Sequence, residues 1–105
     1  MRIHIQLAGV LLSVIAASSV LAQDAATLRT RGLAATCATC HGTEGRTTEG
    51  SAIPSLVGMP RDYMIMQVKA FKDGSRPATV MHQLSKGFTD QQIETVATYF
   101  ASLKR

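Results

Sequence analysis

The 105-residue chain has little with which to build an ordinary hydrophobic core. It contains no tryptophan, three phenylalanines and two tyrosines. A domain of this size buries too small a share of its surface for a core alone to be comfortably stable, and such domains usually depend on disulfides, a metal or a large apolar cofactor. The shortage of aromatic side chains therefore predicts that a non-protein group fills part of the interior.

Runs of like charge are also missing. The 11 lysines and arginines exceed the seven aspartates and glutamates by only four, and apart from Arg2 the basic side chains are scattered from Arg29 to Arg105. Proteins that bind nucleic acid instead concentrate lysine and arginine on one face or in one segment. We therefore expect no nucleic acid among the partners.

The first 22 residues differ in character from the rest of the chain. Arg2 precedes an apolar run over residues 5–20, which ends at Val20-Leu21-Ala22 where a signal peptidase would cut. The run is short and rich in serine and alanine for a membrane span, so it predicts a cleaved signal peptide over residues 1–22; an uncleaved anchor is the alternative. We expect a periplasmic protein in which residues 23–105 form one domain, without stable membrane insertion after cleavage.

Cysteine is scarce as well, and the two that occur are Cys37 and Cys40, with His41 directly after them. A redox-active disulfide, a zinc site and a covalently attached haem are all compatible with these residues. A thioredoxin-type disulfide lacks its strand-helix surroundings here, and a zinc site needs about four ligands, whereas outside the leader only His82 could be added. C-x-x-C-H is the attachment signature of haem c.

The spacing of this motif has a mechanical reason. One helical turn lets two thiols reach the two vinyl groups of a single porphyrin, and the next residue then falls beneath the iron. The motif therefore predicts one covalently bound haem c, with thioether bonds to Cys37 and Cys40 and with His41 as an iron ligand.

Apolar residues recur at helical spacing in several segments, and no segment alternates with a period of two. This pattern predicts helices over residues 25–39 and 60–73, a loop over residues 42–58, and a short helical or irregular stretch over residues 80–86. In the first helix, the expected inner side contains Leu28, Gly32 (or Leu33) and Ala35. The last helix begins with a capping box from Thr89 to Gln92. The predicted class is all-α.

A second iron ligand separates an electron carrier from a haem protein with an open site, and methionine commonly takes this role. Outside the leader, the candidates are Met59, Met64, Met66, Met81 and His82. Met64 and Met66 lie inside the second predicted helix, where methionine more often fills a core. Met81 instead follows a proline-containing turn, from which a flexible thioether could reach the iron. We predict Met81, with His82, Met59 and an open sixth position as alternatives.

Several short motifs together resemble the small bacterial class I c-type cytochromes. They are Cys37-Ala38-Thr39-Cys40-His41-Gly42, Pro54-x-Leu56, Phe71-Lys72-x-Gly74-x-Arg76 before Met81, and Tyr99-Phe100. Within that group, segments 79–81 and 86–88 are most similar to the haem subunit of flavocytochrome c sulfide dehydrogenase. The four-helix bundle cytochromes share only C-x-x-C-H, near their C-terminus. The resemblance implies a class I fold, with three main helices and loops wrapped around one haem.

The resemblance also implies roles for residues around the haem. The Pro54 carbonyl would accept a hydrogen bond from the His41 imidazole, and the apolar segment that ends at Leu56 would lie against the haem. Gly32 in the first helix would allow Tyr99 or Phe100 to approach closely.

Two further residues are candidate partners of the haem propionates. They are Arg76 and Tyr63. The alternatives are a solvated surface charge for the arginine and a core position for the tyrosine.

The function that the resemblance implies is electron transfer, not catalysis. The donor would be a FAD-containing sulfide dehydrogenase subunit bound as a heterodimer; the alternative is a free carrier between a membrane redox complex and an oxidase or reductase. The sequence shows no nucleophile–base pair or carboxylate dyad, as expected when the chemistry belongs to the cofactor. A haem protein with an open sixth site and a dithiol protein without haem are the alternatives from other classes.

Overall fold

The structure is a computed structural model that describes residues 24–105, so the predicted signal peptide lies outside the described residues. Four α-helices occur: α1 over residues 24–41, α2 over Arg61–Asp73, α3 over Met81–Leu84 and α4 over Asp90–Ser102. Short 3-10 helices lie at Thr43–Gly45 and Ser85–Gly87. No strand occurs between residues 24 and 105, and the predicted all-α class is confirmed.

The core forms where α1, α2 and α4 meet. Its buried members are Ala34, Met64, Val96, Ala97 and Phe100. Most of them belong to α4, because apolar residues at helical spacing form one face of that helix. Phe100 is 1% exposed and is the only aromatic ring in this buried cluster. The protein's own side chains therefore provide only a small interior around these helices.

The face that α1 presents to the core differs from the predicted one. Leu28 is 68% exposed and Ala35 is exposed, although both were expected on the buried side. The buried side instead contains Ala34 and His41, with Cys37 half-buried between them. These positions are separated by three and four residues, which places them on one face of a helix.

The prediction that Gly32 allows close approach of an aromatic ring is wrong. Gly32 is exposed, and a Cβ atom added to it would meet no atom within 4 Å. It lies two positions before Ala34, so its side of the helix is rotated roughly 200° from that of Ala34 and points away from the core. The glycine that contacts Phe100 is Gly45, where an added Cβ would lie 2.9 Å from a ring carbon.

Helix α4 begins as the sequence predicts. The Thr89 hydroxyl accepts a hydrogen bond from the Gln92 amide at 3.1 Å, and the Gln92 side chain accepts one from the Thr89 amide at 2.9 Å. Helix α2 begins one residue later than predicted, with Pro60 before its first residue, and ends at Gly74, whose φ of 84° lies in the left-handed region. None of the helices in residues 24–105 is long and apolar enough to cross a bilayer.

Polar contacts hold α2 beside α4 at both ends. At one end, the Arg61 Nε atom donates to the Thr98 hydroxyl at 3.0 Å. At the other, Lys69 pairs with Asp90 at 3.2 Å and Lys72 pairs with it at 3.4 Å. Exposed ion pairs stabilise a fold by at most about 1 kcal/mol each. Their main effect is to align the two helices along their length.

The segment between α1 and α2 folds into a loop that is closed at its neck. The carbonyl oxygen of Gly45 accepts hydrogen bonds from the Ser55 hydroxyl and from the Leu56 amide, both at 2.8 Å. Further along, the Gly58 amide donates to the Phe100 carbonyl at 2.8 Å, near the end of α4. The loop is therefore attached both to itself and to the core helix.

Candidate functional site

The motif residues Cys37, Cys40 and His41 occupy the last turn of α1. The two cysteines do not form a disulfide with each other; Cys37 is half-buried and Cys40 is exposed. The His41 side chain is buried at 9% exposure. Since the three residues lie on one turn of helix, the local conformation is the one that the spacing of the motif predicts.

The His41 ring is oriented by a carbonyl group of the loop. Its Nδ1 atom lies 2.7 Å from the Pro54 oxygen. Because a carbonyl oxygen can only accept, Nδ1 has a proton, and in the neutral imidazole the lone pair is then on Nε2. This is the tautomer of a histidine prepared to bind a metal through Nε2. The hydrogen bond that the family resemblance implied is present.

The Cys37 thiol is poorly suited to redox chemistry of its own. Burial raises the pKa of the Cys37 thiol, and a hydrogen bond with the Thr36 side chain only partly opposes that effect. Reactive cysteines need a lowered pKa, because the thiolate is the nucleophile. A zinc site also finds no support, since no three His, Cys, Asp or Glu side chains in the described part of the chain form a group that could hold a metal ion.

Large apolar side chains are exposed on the loop, on α2 and around α3, which packs against α2. They are Ile53, Tyr63, Met66, Val80 and Leu84, each between 39% and 55% exposed. A porphyrin is a flat apolar group that could cover apolar side chains left exposed in this way. Together with the two thiols and the oriented imidazole, these residues fit a haem.

The exposure of one of these apolar side chains was not predicted from the sequence. Met66 was expected to pack inside the second helix, but it is 55% exposed, whereas Met64 is 3% exposed in the core. A signal in the sequence could have placed these residues on shared faces. Tyr63 and Met66 are three residues apart, and Val80 and Leu84 are four apart.

The candidates for a second iron ligand are in different environments. Met64 is a core residue and Met59 packs against the core, so both thioethers fill space there. Met81 is the half-buried first residue of α3, and its carbonyl accepts a hydrogen bond from the Ser85 hydroxyl at 2.6 Å. The neighbouring His82 has a buried Nδ1 atom without a hydrogen-bond partner.

Both candidate propionate partners are exposed. Tyr63 is 47% exposed in the first turn of α2. The Arg76 guanidinium lies 4.5 Å from the centre of the Phe71 ring and donates a hydrogen bond to the Gln67 side chain. Arg76 is therefore held beside the end of α2 by two contacts.

Comparison with known proteins now decides among the possible uses of this site. Residues 30–104 match the family model for cytochrome c. The chain belongs to the cytochrome c family. Haem c, bound covalently, is its cofactor. The prediction of haem c from the C-x-x-C-H motif is confirmed.

Relatives from sulfur-metabolising systems are prominent among similar proteins. The cytochrome subunit of sulfide dehydrogenase from Chlorobaculum tepidum is 41% identical over 73 residues, which are 70% of this chain and 64% of the relative. The thiosulfate dehydrogenase electron acceptor of Thiomonas intermedia is 37% identical over 71 residues, 68% of this chain and 33% of the relative. The match thus spans less than two thirds of either relative.

A relative that the match covers more fully is cytochrome c-554(548) from Halomonas halodenitrificans. It is 36% identical over 72 residues, which cover 64% of this chain and 83% of the relative. Membership of the family therefore does not depend on one kind of relative.

Proposed function

We propose that this cytochrome transfers electrons through a single haem held by thioether bonds to Cys37 and Cys40 and by His41 and Met81 as axial ligands. The bound haem supplies one-electron chemistry, its iron changing between the ferric and ferrous states. The observation that supports the proposal most strongly is the hydrogen bond from His41 Nδ1 to the Pro54 carbonyl at 2.7 Å, which leaves Nε2 free.

The roles of the chain's own residues follow from their positions. Pro54 fixes the ring orientation and the tautomer of His41, and such hydrogen bonds also raise the basicity of the ligand. The apolar segment around Leu56, together with Tyr63, would exclude water from the haem faces. For Arg76 and Tyr63 we propose contact with the propionates, since charge-assisted hydrogen bonds from arginine to carboxylate are strong.

Met81 is the proposed sixth ligand because the other methionines are less suitable. Met59 and Met64 are engaged in the core, and Met66 lies in the middle of a regular helix. A neutral, soft sulfur ligand favours ferrous iron and gives a higher reduction potential than a second histidine would.

Substitution of Met81 tests this ligation. Met81→Ala should convert the ferric haem from low spin to high spin, abolish the weak far-red band that sulfur ligation gives, and allow rapid carbon monoxide binding. Met66→Leu, which removes a second thioether but keeps an apolar side chain of similar size, is the matched control and should keep the wild-type spectrum. A low-spin wild-type spectrum that survives Met81→Ala but is lost in His82→Ala or Met59→Ala would contradict the assignment.

For the partner, we propose a FAD-containing sulfide dehydrogenase subunit that binds this cytochrome in the periplasm and reduces it. The 41% identity to the cytochrome subunit of a sulfide dehydrogenase supports this choice. The second candidate is a free carrier to an oxidase or reductase, and the similarity to cytochrome c-554(548), over 83% of that protein, favours it.

Purification of the native protein from its periplasm separates the two candidates. A stable complex should contain a second polypeptide with flavin absorption, and added sulfide should reduce the haem in that complex but not in the isolated cytochrome. A red protein that elutes alone at the size of one chain, and that sulfide with the periplasmic extract does not reduce, would refute the subunit role.

A further inference from the structure

The Pro54 carbonyl is held in place by something other than secondary structure. Pro54 is exposed, lies outside every helix and is 13 residues from His41 in sequence. Its oxygen nevertheless approaches the His41 Nδ1 atom to 2.7 Å, the short end of the range for an N–H···O hydrogen bond. A neighbouring contact must restrict the orientation of the peptide group between residues 54 and 55.

Ser55 makes that contact. Its hydroxyl donates a hydrogen bond to the Gly45 carbonyl oxygen at 2.8 Å. The Ser55 amide nitrogen and the Pro54 carbonyl belong to one planar peptide group. Holding the Ser55 side chain therefore limits the rotation of the carbonyl that faces His41.

Gly45 is a fixed acceptor for this hydroxyl. It is buried, its φ of +74° lies in the left-handed region, and an added Cβ would lie 2.9 Å from the Leu56 Cβ and from a Phe100 ring carbon. Its amide donates to the Gly42 carbonyl at 2.8 Å, and Gly42 directly follows His41 in the sequence. These hydrogen bonds and the covalent backbone form a closed ring. It runs from His41 through Gly42, Gly45, Ser55 and Pro54 and returns to the His41 imidazole.

We infer that Ser55 is a positioning residue that strengthens the hydrogen bond from His41 to Pro54 and thereby lowers the reduction potential of the haem iron. The inference rests on the proposed ligation by His41. A stronger hydrogen bond at Nδ1 gives the imidazole more anionic character, and a more basic ligand stabilises ferric iron more than ferrous iron.

Ser55→Ala tests the inference without opening the loop. The amides of Leu56 and Val57 still donate to the Gly45 carbonyl, at 2.8 and 3.2 Å. Removal of a residue that hydrogen-bonds a metal ligand typically changes metal affinity or activity about 10–100-fold. Ser55 should have a smaller effect, because it contacts the loop that holds Pro54 and not the ligand itself. We expect the ferrous-to-ferric ratio at a fixed potential to rise about two- to fivefold, which raises the midpoint potential by about 20–40 mV, at about 59 mV per tenfold change.

Two variants serve as controls. Ser51→Ala removes a hydroxyl from the same loop, but the Ser51 hydroxyl only accepts from the Ile53 amide, at 3.1 Å; its potential should equal that of the wild type. Ser55→Thr keeps a hydroxyl at the position and should restore the wild-type potential. Thermal unfolding of each holoprotein separates a change in potential from a general loss of stability.

The outcomes distinguish this inference from the proposed function. A wild-type potential in Ser55→Ala, with an intact His41-ligated spectrum, would overturn the role of Ser55 and leave the electron-transfer proposal standing. A wild-type protein without covalent haem would overturn both. Should Ser55→Ala not accumulate, proton exchange at His41 Nδ1 in the wild-type holoprotein decides: slow exchange is expected, and exchange as fast as in an exposed imidazole would overturn the inference.

Discussion

Replacement of Gly45 by alanine tests the closest contact between the loop and the core. The φ of +74° at Gly45 lies in the left-handed region, where a residue with a side chain is less stable by about 1–2 kcal/mol. The new Cβ would lie 2.9 Å from both the Leu56 Cβ and a Phe100 ring carbon, and overpacking of a core costs about 1–3 kcal/mol. The smaller freedom of the unfolded chain offsets about 0.4–1 kcal/mol. We expect a net loss of about 2–4 kcal/mol.

Thermal unfolding of the holoprotein measures this loss. For a domain of this size, 1 kcal/mol shifts the midpoint by about 4–8 °C, so Gly45→Ala should lower it by roughly 10–25 °C. Gly50→Ala is the matched control, because its φ of +77° is similar but an added Cβ meets no atom within 4 Å. That variant has only the conformational penalty, about 1 kcal/mol.

The difference between the two variants isolates the packing against Phe100. Equal midpoint losses in Gly45→Ala and Gly50→Ala would show that the loop does not press on the aromatic ring, and the argument for a fixed Gly45 acceptor would then be wrong.

Two further predictions concern the start of α4. Thr89→Ala removes the capping box and should lower the free energy of unfolding by about 1 kcal/mol in a chemical denaturation assay. Thr95→Ala is the control and should have a smaller effect, because the Thr95 hydroxyl bonds only the Gln91 carbonyl inside the helix. Lys69 and Lys72 hold the pKa of Asp90 below its usual range. The ionised carboxylate therefore stabilises the fold fully at pH values above the unfolded-state pKa of about 3.9. This stabilisation is lost as the pH falls through the lower folded-state pKa. Asp90→Asn should therefore lower the midpoint of thermal unfolding at pH 7 and match the wild type in strong acid; a deficit of equal size at every pH would contradict the ion pairs.

The features that sequence predicts correctly are those set by neighbouring residues. The haem motif needs only one turn of helix, and the capping box from Thr89 to Gln92 is complete within four residues. The end of α2 at Gly74 is equally local, because a left-handed conformation there favours glycine. The hydrogen bond from His41 to Pro54 crosses a loop, and only the family resemblance implied it.

The features that sequence does not predict depend on contacts between distant segments. Helix α1 is rich in alanine, so its weak apolar pattern could not identify Ala34 as the buried position in place of Gly32 and Ala35. Gly45 is important because Phe100, from the other end of the chain, approaches it and because its carbonyl closes the loop. No local pattern reports either contact. Met66 was misplaced for a related reason, since periodicity alone cannot tell a buried position from an exposed apolar one.

Mass spectrometry of the purified native protein tests the central claim most directly. After proteolysis, the peptide that contains Cys37, Cys40 and His41 should have the mass of one haem added and no free thiol that an alkylating reagent can modify. The same peptide recovered at its unmodified mass, with both cysteines alkylated or joined to each other, would contradict the account of the site, of the ligand histidine and of electron transfer alike.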